Sequence, residues 1–137
     1  MSRSGYFYDF EPLLHGRWRG QVASTIRGKR GQAFLREMLA ALDALPQKRL
    51  ISDHLEMSVD GDVCAIGAVG RARDFDMSTI DPDDSYQVAG AFGITRVLAC
   101  EIAEVNDWDL ETSEARYARV REWVVRHIDM EAQDGPR

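Results

Sequence analysis

A chain of 137 residues that is 45% hydrophobic can build one sizeable core, so the expected organisation is a single domain, 1–137. No apolar run approaches the roughly 20 residues that cross a bilayer, and Met1 to Phe10 lacks the pattern of a signal peptide. Cys64 and Cys100 fall outside any Cys/His ligand spacing, so the expectation is a cytoplasmic protein without membrane span, disulfide framework, metal or cofactor.

Ser2 to Pro12 holds Tyr6, Phe7, Tyr8 and Phe10 without a regular period, and reads as an extended arm over 1–12. Trp18, Val22 and Ile26 then recur every four residues and define a helical stripe, which Gly28 and Gly31 interrupt. A stronger helix starts near Gln32, with Phe34, Leu35, Met38, Leu39, Leu42 and Leu45 on one face and Pro46 just past its end. Leu55, Met57 and Val59 alternate, and Asp60-Gly61 is a turn signal, so a short β-hairpin near residues 55–66 fits. A short helix over Cys64 to Arg73 fits as well, weakened by Gly67 and Gly70.

Asp74 to Ser85 is an acidic connector whose Asp or Ser residues can cap a helix beginning near Tyr86. Val88, Ala89 and Phe92 precede Gly93, after which Ile94, Val97, Leu98 and Ile102 make a second stripe. Thr112-Ser113-Glu114 opens the last helix, with Tyr117, Val120, Val124 and Ile128 in line, and 132–137 is a fraying tail. The fold class is therefore mainly α, a small helical domain. Its helices bury Leu35, Leu39, Leu42, Leu98, Ile102, Val120 and Val124 against one another.

Charge is unevenly spread. Residues 1–73 hold 11 Lys and Arg against 8 Asp and Glu, whereas 74–137 hold 6 against 15. The first half contains one dense basic cluster, Arg17, Arg19, Arg27, Lys29, Arg30 and Arg36, able in principle to neutralise phosphates. The second contains Asp74, Asp76, Asp81, Asp83 and Asp84, joined by Glu101 and Glu104, which together form the expected acidic face. The aspartates lack the glycine and glutamate spacing of an EF-hand, and His15, His54 and His127 form neither HxH nor HExxH. No catalytic set converges in the sequence, and the expectation is a protein that is not an enzyme. Ala89, three residues, then Gly93 and an apolar helix is the spacing of a helix-turn-helix, with Thr95 and Arg96 at the start of its second helix and Glu101 and Glu104 opposing phosphate approach.

With these residues in view, the chain from Arg17 to about Ile128 resembles a family of small uncharacterised proteins encoded by bacteriophages and proteobacterial prophages. The resemblance is carried by Arg27-Gly28-Lys29-Arg30-Gly31-Gln32-Ala33-Phe34-Leu35, Val63-Cys64-Ala65-Ile66-Gly67-Ala68-Val69-Gly70 and Phe92-Gly93-Ile94. It continues in Glu101-Ile102, Asn106-Asp107 and Arg119-Val120-Arg121-Glu122-Trp123-Val124. It implies a phage-type accessory protein, a class that often binds and disables host machinery, including CRISPR-Cas and other defence systems. The leading expectation is thus a non-enzymatic, anti-CRISPR or other anti-defence inhibitor that docks its acidic face on a host protein or protein–nucleic acid complex. The alternative is a helix-turn-helix-like nucleic-acid-binding regulator using Arg17, Arg19, Arg27, Lys29, Arg30, Arg36, Thr95 and Arg96.

Overall fold

Proline lacks the N–H that the first turn of a helix leaves unpaired anyway, so Pro12 starts a helix at no cost in hydrogen bonds. In the computed structural model, which describes residues 3–5, 12–108 and 111–128, it is the first residue of α1 (Pro12–Arg27). The helix thus begins at the last residue of the expected arm, six residues before the expected start at Trp18. Tyr6, Phe7, Tyr8 and Phe10 lie outside the described residues, as does the tail at 132–137.

Gly28 is a single extended residue between α1 and α2 (Lys29–Ala44), which starts three residues earlier than its apolar stripe indicates. The two helices fold sharply against each other there. A Cβ at Gly31 would stand 1.9 Å from the Thr25 carbonyl oxygen, so only glycine permits the approach. Phe34, Leu35, Met38, Ala41 and Leu42 form the buried face of α2, each large side chain worth roughly 1.5–3 kcal/mol once out of water. Leu39 is half-buried at the rim of that face rather than inside it.

Residues 45–64 run without regular structure. The expected hairpin shrinks to one antiparallel bridge, Glu56 to Val63, closed by Gly61 with φ +74°, and no strand occurs among the described residues. The polypeptide instead turns at once into α3 (Ala65–Ala72), where the Cys64 sulfur accepts a hydrogen bond from the Gly67 N–H at 3.3 Å. Ala65 to Gly70 are all buried, which makes α3 a central helix. Arg73, just past its end, pairs with Glu37 at 2.6 and 2.7 Å and lies 5.4–5.8 Å from the rings of Phe34, Phe75 and Phe92.

After a 3-10 turn (Met77–Thr79) come α4 (Ser85–Phe92), α5 (Arg96–Asp107) and α6 (Ser113–His127). Each has a side-chain cap of the residue type that accepts hydrogen bonds from first-turn N–H groups: Asp84, Thr95 and Thr112. Gly93, at φ +73°, ends α4 in the left-handed conformation that glycine tolerates. α5 packs against α1, α3, α4 and α6, and Leu98, Ala99, Cys100, Glu101, Ile102, Ala103 and Asn106 are buried along it. One continuous apolar cluster runs from Val22 in α1 to Ile128 after α6. The molecule is a small helical domain, and among its described residues no helix is long and apolar enough to cross a membrane.

Candidate functional site

The two ends of α5 carry most of the polar chemistry. At its C-terminal end, Arg3 donates to both Asp107 carboxylate oxygens, at 2.7 and 2.8 Å, and reaches the Cys64 sulfur at 3.6 Å. Asp107 also accepts from the Asn106 amide at 2.8 Å and the Asp53 N–H at 3.2 Å. Burial alone would raise the Asp107 carboxyl, but the Arg3 hydrogen bonds and charge outweigh it and hold the group below the usual carboxylate range. Asn106 in turn accepts from the Ala65 N–H at 3.0 Å and donates to the Ile51 carbonyl at 2.9 Å. Buried Arg116 donates to the carbonyls of Asn106 and Leu50, and Arg119 to that of Val105, so cations meet the negative end of the helix. Every group here is spent on the fold.

The N-terminal end of α5 is different. The Thr25 and Thr95 hydroxyls meet at 2.7 Å, and Arg30 donates to the Gly93 carbonyl at 2.8 Å. The end of α1, the start of α2 and the α4–α5 turn therefore share one corner. Gln32 donates to the His127 carbonyl at 2.8 Å, adding the last turn of α6 with its exposed Arg126. Arg27, Lys29 and Arg30 are exposed on this corner. Beside it, Arg96 donates to the Ser85 hydroxyl at 2.9 Å and lies 4.7 Å from the centre of the Tyr86 ring, with Trp18 behind it at 6.0 Å. Tyr86 is 72% exposed, so the ring face turned away from Arg96 is open to solvent.

The basic residues named from the sequence thus divide. Arg27, Lys29, Arg30, Thr95 and Arg96 gather at the corner, Arg17 and Arg36 are exposed on α1 and α2, and Arg19 is engaged with Glu101 at 2.8 Å. In the helix-turn-helix-like pair, α5 packs against four other helices, and the Thr95 hydroxyl is committed to the Leu98 N–H and to Thr25, so only the first residues of α5 face solvent at this corner. Tyr86 and Gln32 carried no such signal in the sequence, because their contacts, with Arg96 and the His127 carbonyl, lie ten and ninety-five positions away.

The acidic expectation also divides. Asp74, Asp76, Asp81 and Asp83 are exposed and Asp84 half-buried on the α3–α4 connector. Asp76, Asp81 and Asp84 each accept backbone N–H groups of that connector or of α4, and the Ser78 hydroxyl and N–H hold the Asp76 carboxyl below its ordinary range. Glu101 does not share this face. It is buried and paired with Arg19, and Glu104 accepts from buried Ser4 at 2.8 Å, because α5 turns both toward neighbouring segments. Cys64 and Cys100 are free and buried, and burial pushes the Cys100 thiol up, away from reactive thiolate. Among the described residues no group of three or more His, Cys, Asp or Glu side chains is placed to hold a metal ion. A crevice between Arg3, Leu55, Ile66, Pro82, Ser85 and Val88 encloses about 10 Å³, the room of one water molecule. Compared with family models, with curated proteins and with solved structures, the chain has no match in any of the three.

Proposed function

We propose that this chain is a nucleic-acid-binding protein that grips phosphates at the corner formed by α1, α2 and the α4–α5 turn. One observation carries the reading. Neither Pro12 to Arg36 nor Ser85 to Cys100 contains an Asp or Glu, and the Arg30–Gly93 and Thr25–Thr95 contacts bring these two carboxylate-free segments together. The net charge of −6 opposes a polyanion at long range. Screening confines that repulsion to about 10 Å at ordinary salt, so the local cations decide whether phosphate stays. Binding by a few cations is modest in strength and steeply salt-dependent, since each neutralised phosphate releases counterions.

The test is fluorescence polarisation of a labelled oligonucleotide between about 50 and 200 mM salt. The unaltered chain should bind at the low end and release as salt rises, and Arg27→Glu with Lys29→Glu should abolish binding while leaving the melting temperature unchanged. No complex at low salt would discard the reading.

The exposed carboxylates of Asp74, Asp76, Asp81 and Asp83 on one connector favour a second reading, in keeping with the phage-type resemblance: an inhibitor that docks this connector on a basic host protein or protein–nucleic acid complex. Copurification from a bacterial lysate separates the two. A captured partner lost on Asp81→Lys with Asp83→Lys, but retained on Arg27→Glu with Lys29→Glu, supports the second reading; the opposite pattern removes it.

A further inference from the structure

Base recognition needs an exposed flat surface near the phosphate grip, held so that ordering it costs little entropy. Tyr86 meets that description. Its ring projects into solvent from the first turn of α4, yet one face is fixed over the Arg96 guanidinium, itself anchored by Ser85 and backed by Trp18. Tyr86 lies seven residues before Gly93, about 10 Å along α4 at 1.5 Å per residue, from the carbonyl that Arg30 holds. A few nucleotides span that distance.

Resting on the nucleic-acid reading above, we infer that the ligand is a single strand, DNA or RNA, whose phosphates sit at Arg27, Lys29 and Arg30 while one base stacks on the open face of Tyr86. Two features select a single strand over a duplex. The bases of a duplex are stacked on one another and present no face to Tyr86, and α5, packed against four other helices, is poorly placed to enter a groove and read their edges. The charge beyond Tyr86 points the same way. Asp81, Asp83 and Asp84 lie just before it in the chain, with Asp84 capping the turn that carries the ring. A duplex presents one phosphate charge for about every 1.7 Å of its axis on a stiff cylinder and would drive some of them against these aspartates. A flexible strand can place its phosphates on the basic side, offer a base to the ring and turn away.

Polarisation with a labelled strand of about 12 nucleotides, as DNA and as RNA, and with the matching DNA duplex tests this, because single-strand sites on small domains cover about 4–16 nucleotides. The single strand should bind at least about tenfold tighter than the duplex, and Tyr86→Ala should weaken it by about tenfold, the loss of one stacked base. Tyr86→Phe, which keeps the ring, should bind as the unaltered chain does. Equal binding of strand and duplex, or an unchanged Tyr86→Ala affinity, overturns the stacking inference and leaves the phosphate grip standing. Absence of binding to every probe at low salt overturns both. The DNA and RNA arms together show whether the 2′-hydroxyl matters.

Discussion

The two ends of α5 hold arginines in opposite ways. At the C-terminal end Arg3 and Arg116 are buried, and their donors go to Asp107, Asn106 and the Leu50 carbonyl, so that segments as distant as residues 3, 50, 65 and 116 are tied to one helix terminus. At the N-terminal end Arg96 is half-exposed against Ser85 and Tyr86, with Arg27, Lys29 and Arg30 nearby in solvent. A buried cation must have its full set of partners, because an uncompensated charge in the interior costs several kcal/mol. An exposed one is hydrated and can exchange water for a phosphate. The same residue type therefore serves the fold at one end and stays in contact with water at the other.

The largest effect is expected where this contrast is most strained. Asp107→Ala leaves the Arg3 guanidinium buried without its carboxylate and should cost about 3–5 kcal/mol, a large part of the stability of a small domain, as read by urea unfolding. A loss under about 1 kcal/mol, the size of a surface pair, would show that the Arg3 contact contributes little to folding. The same pair should shape the pH dependence. Asp107 is held below the unfolded carboxylate value of about 3.9, so its contribution is complete above that pH and is lost as pH falls through the lower folded value. Melting temperature followed downward from about pH 5 should therefore drop more steeply in the unaltered chain than in Asp107→Asn.

The smallest effect belongs to the other end. Arg96→Ala removes an exposed ring contact and one hydrogen bond and should cost only about 0.5–1 kcal/mol in stability, while reducing oligonucleotide affinity. If it unfolded the chain as Asp107→Ala is expected to, the division between a structural end and a solvated end would collapse.

Much of the fold was legible in residue order. The stripe Phe34, Leu35, Met38 and Leu42, the caps at Asp84 and Thr112, the break at Gly28 and the turn at Gly93 are local signals, and each sits where its chemistry requires. The helix starts at Pro12 and Lys29 lie ahead of their apolar stripes, because a stripe marks where burial begins, whereas a helix begins where its N–H groups are first excused or capped. Val63 and Glu56 stop at one bridge because Gly67 must approach the Leu55 carbonyl closely, and that draws residue 64 into a helix cap instead of a strand.

The site was legible in part. Arg27, Lys29, Arg30, Thr95 and Arg96 were each recognisable as candidates, yet that they share a corner depends on contacts between residues 25 and 95 and between 30 and 93. Glu101 looked like its aspartate neighbours in charge, and only its burial against Arg19 removed it from the acidic face. Composition and periodicity determined, by themselves, that the chain would form helices and which stripe of most would turn inward, because those are properties of one to four turns of backbone. Which charges end up buried and satisfied, and which are left together in water, was decided only by tertiary packing, since it depends on every helix finding its neighbours at once.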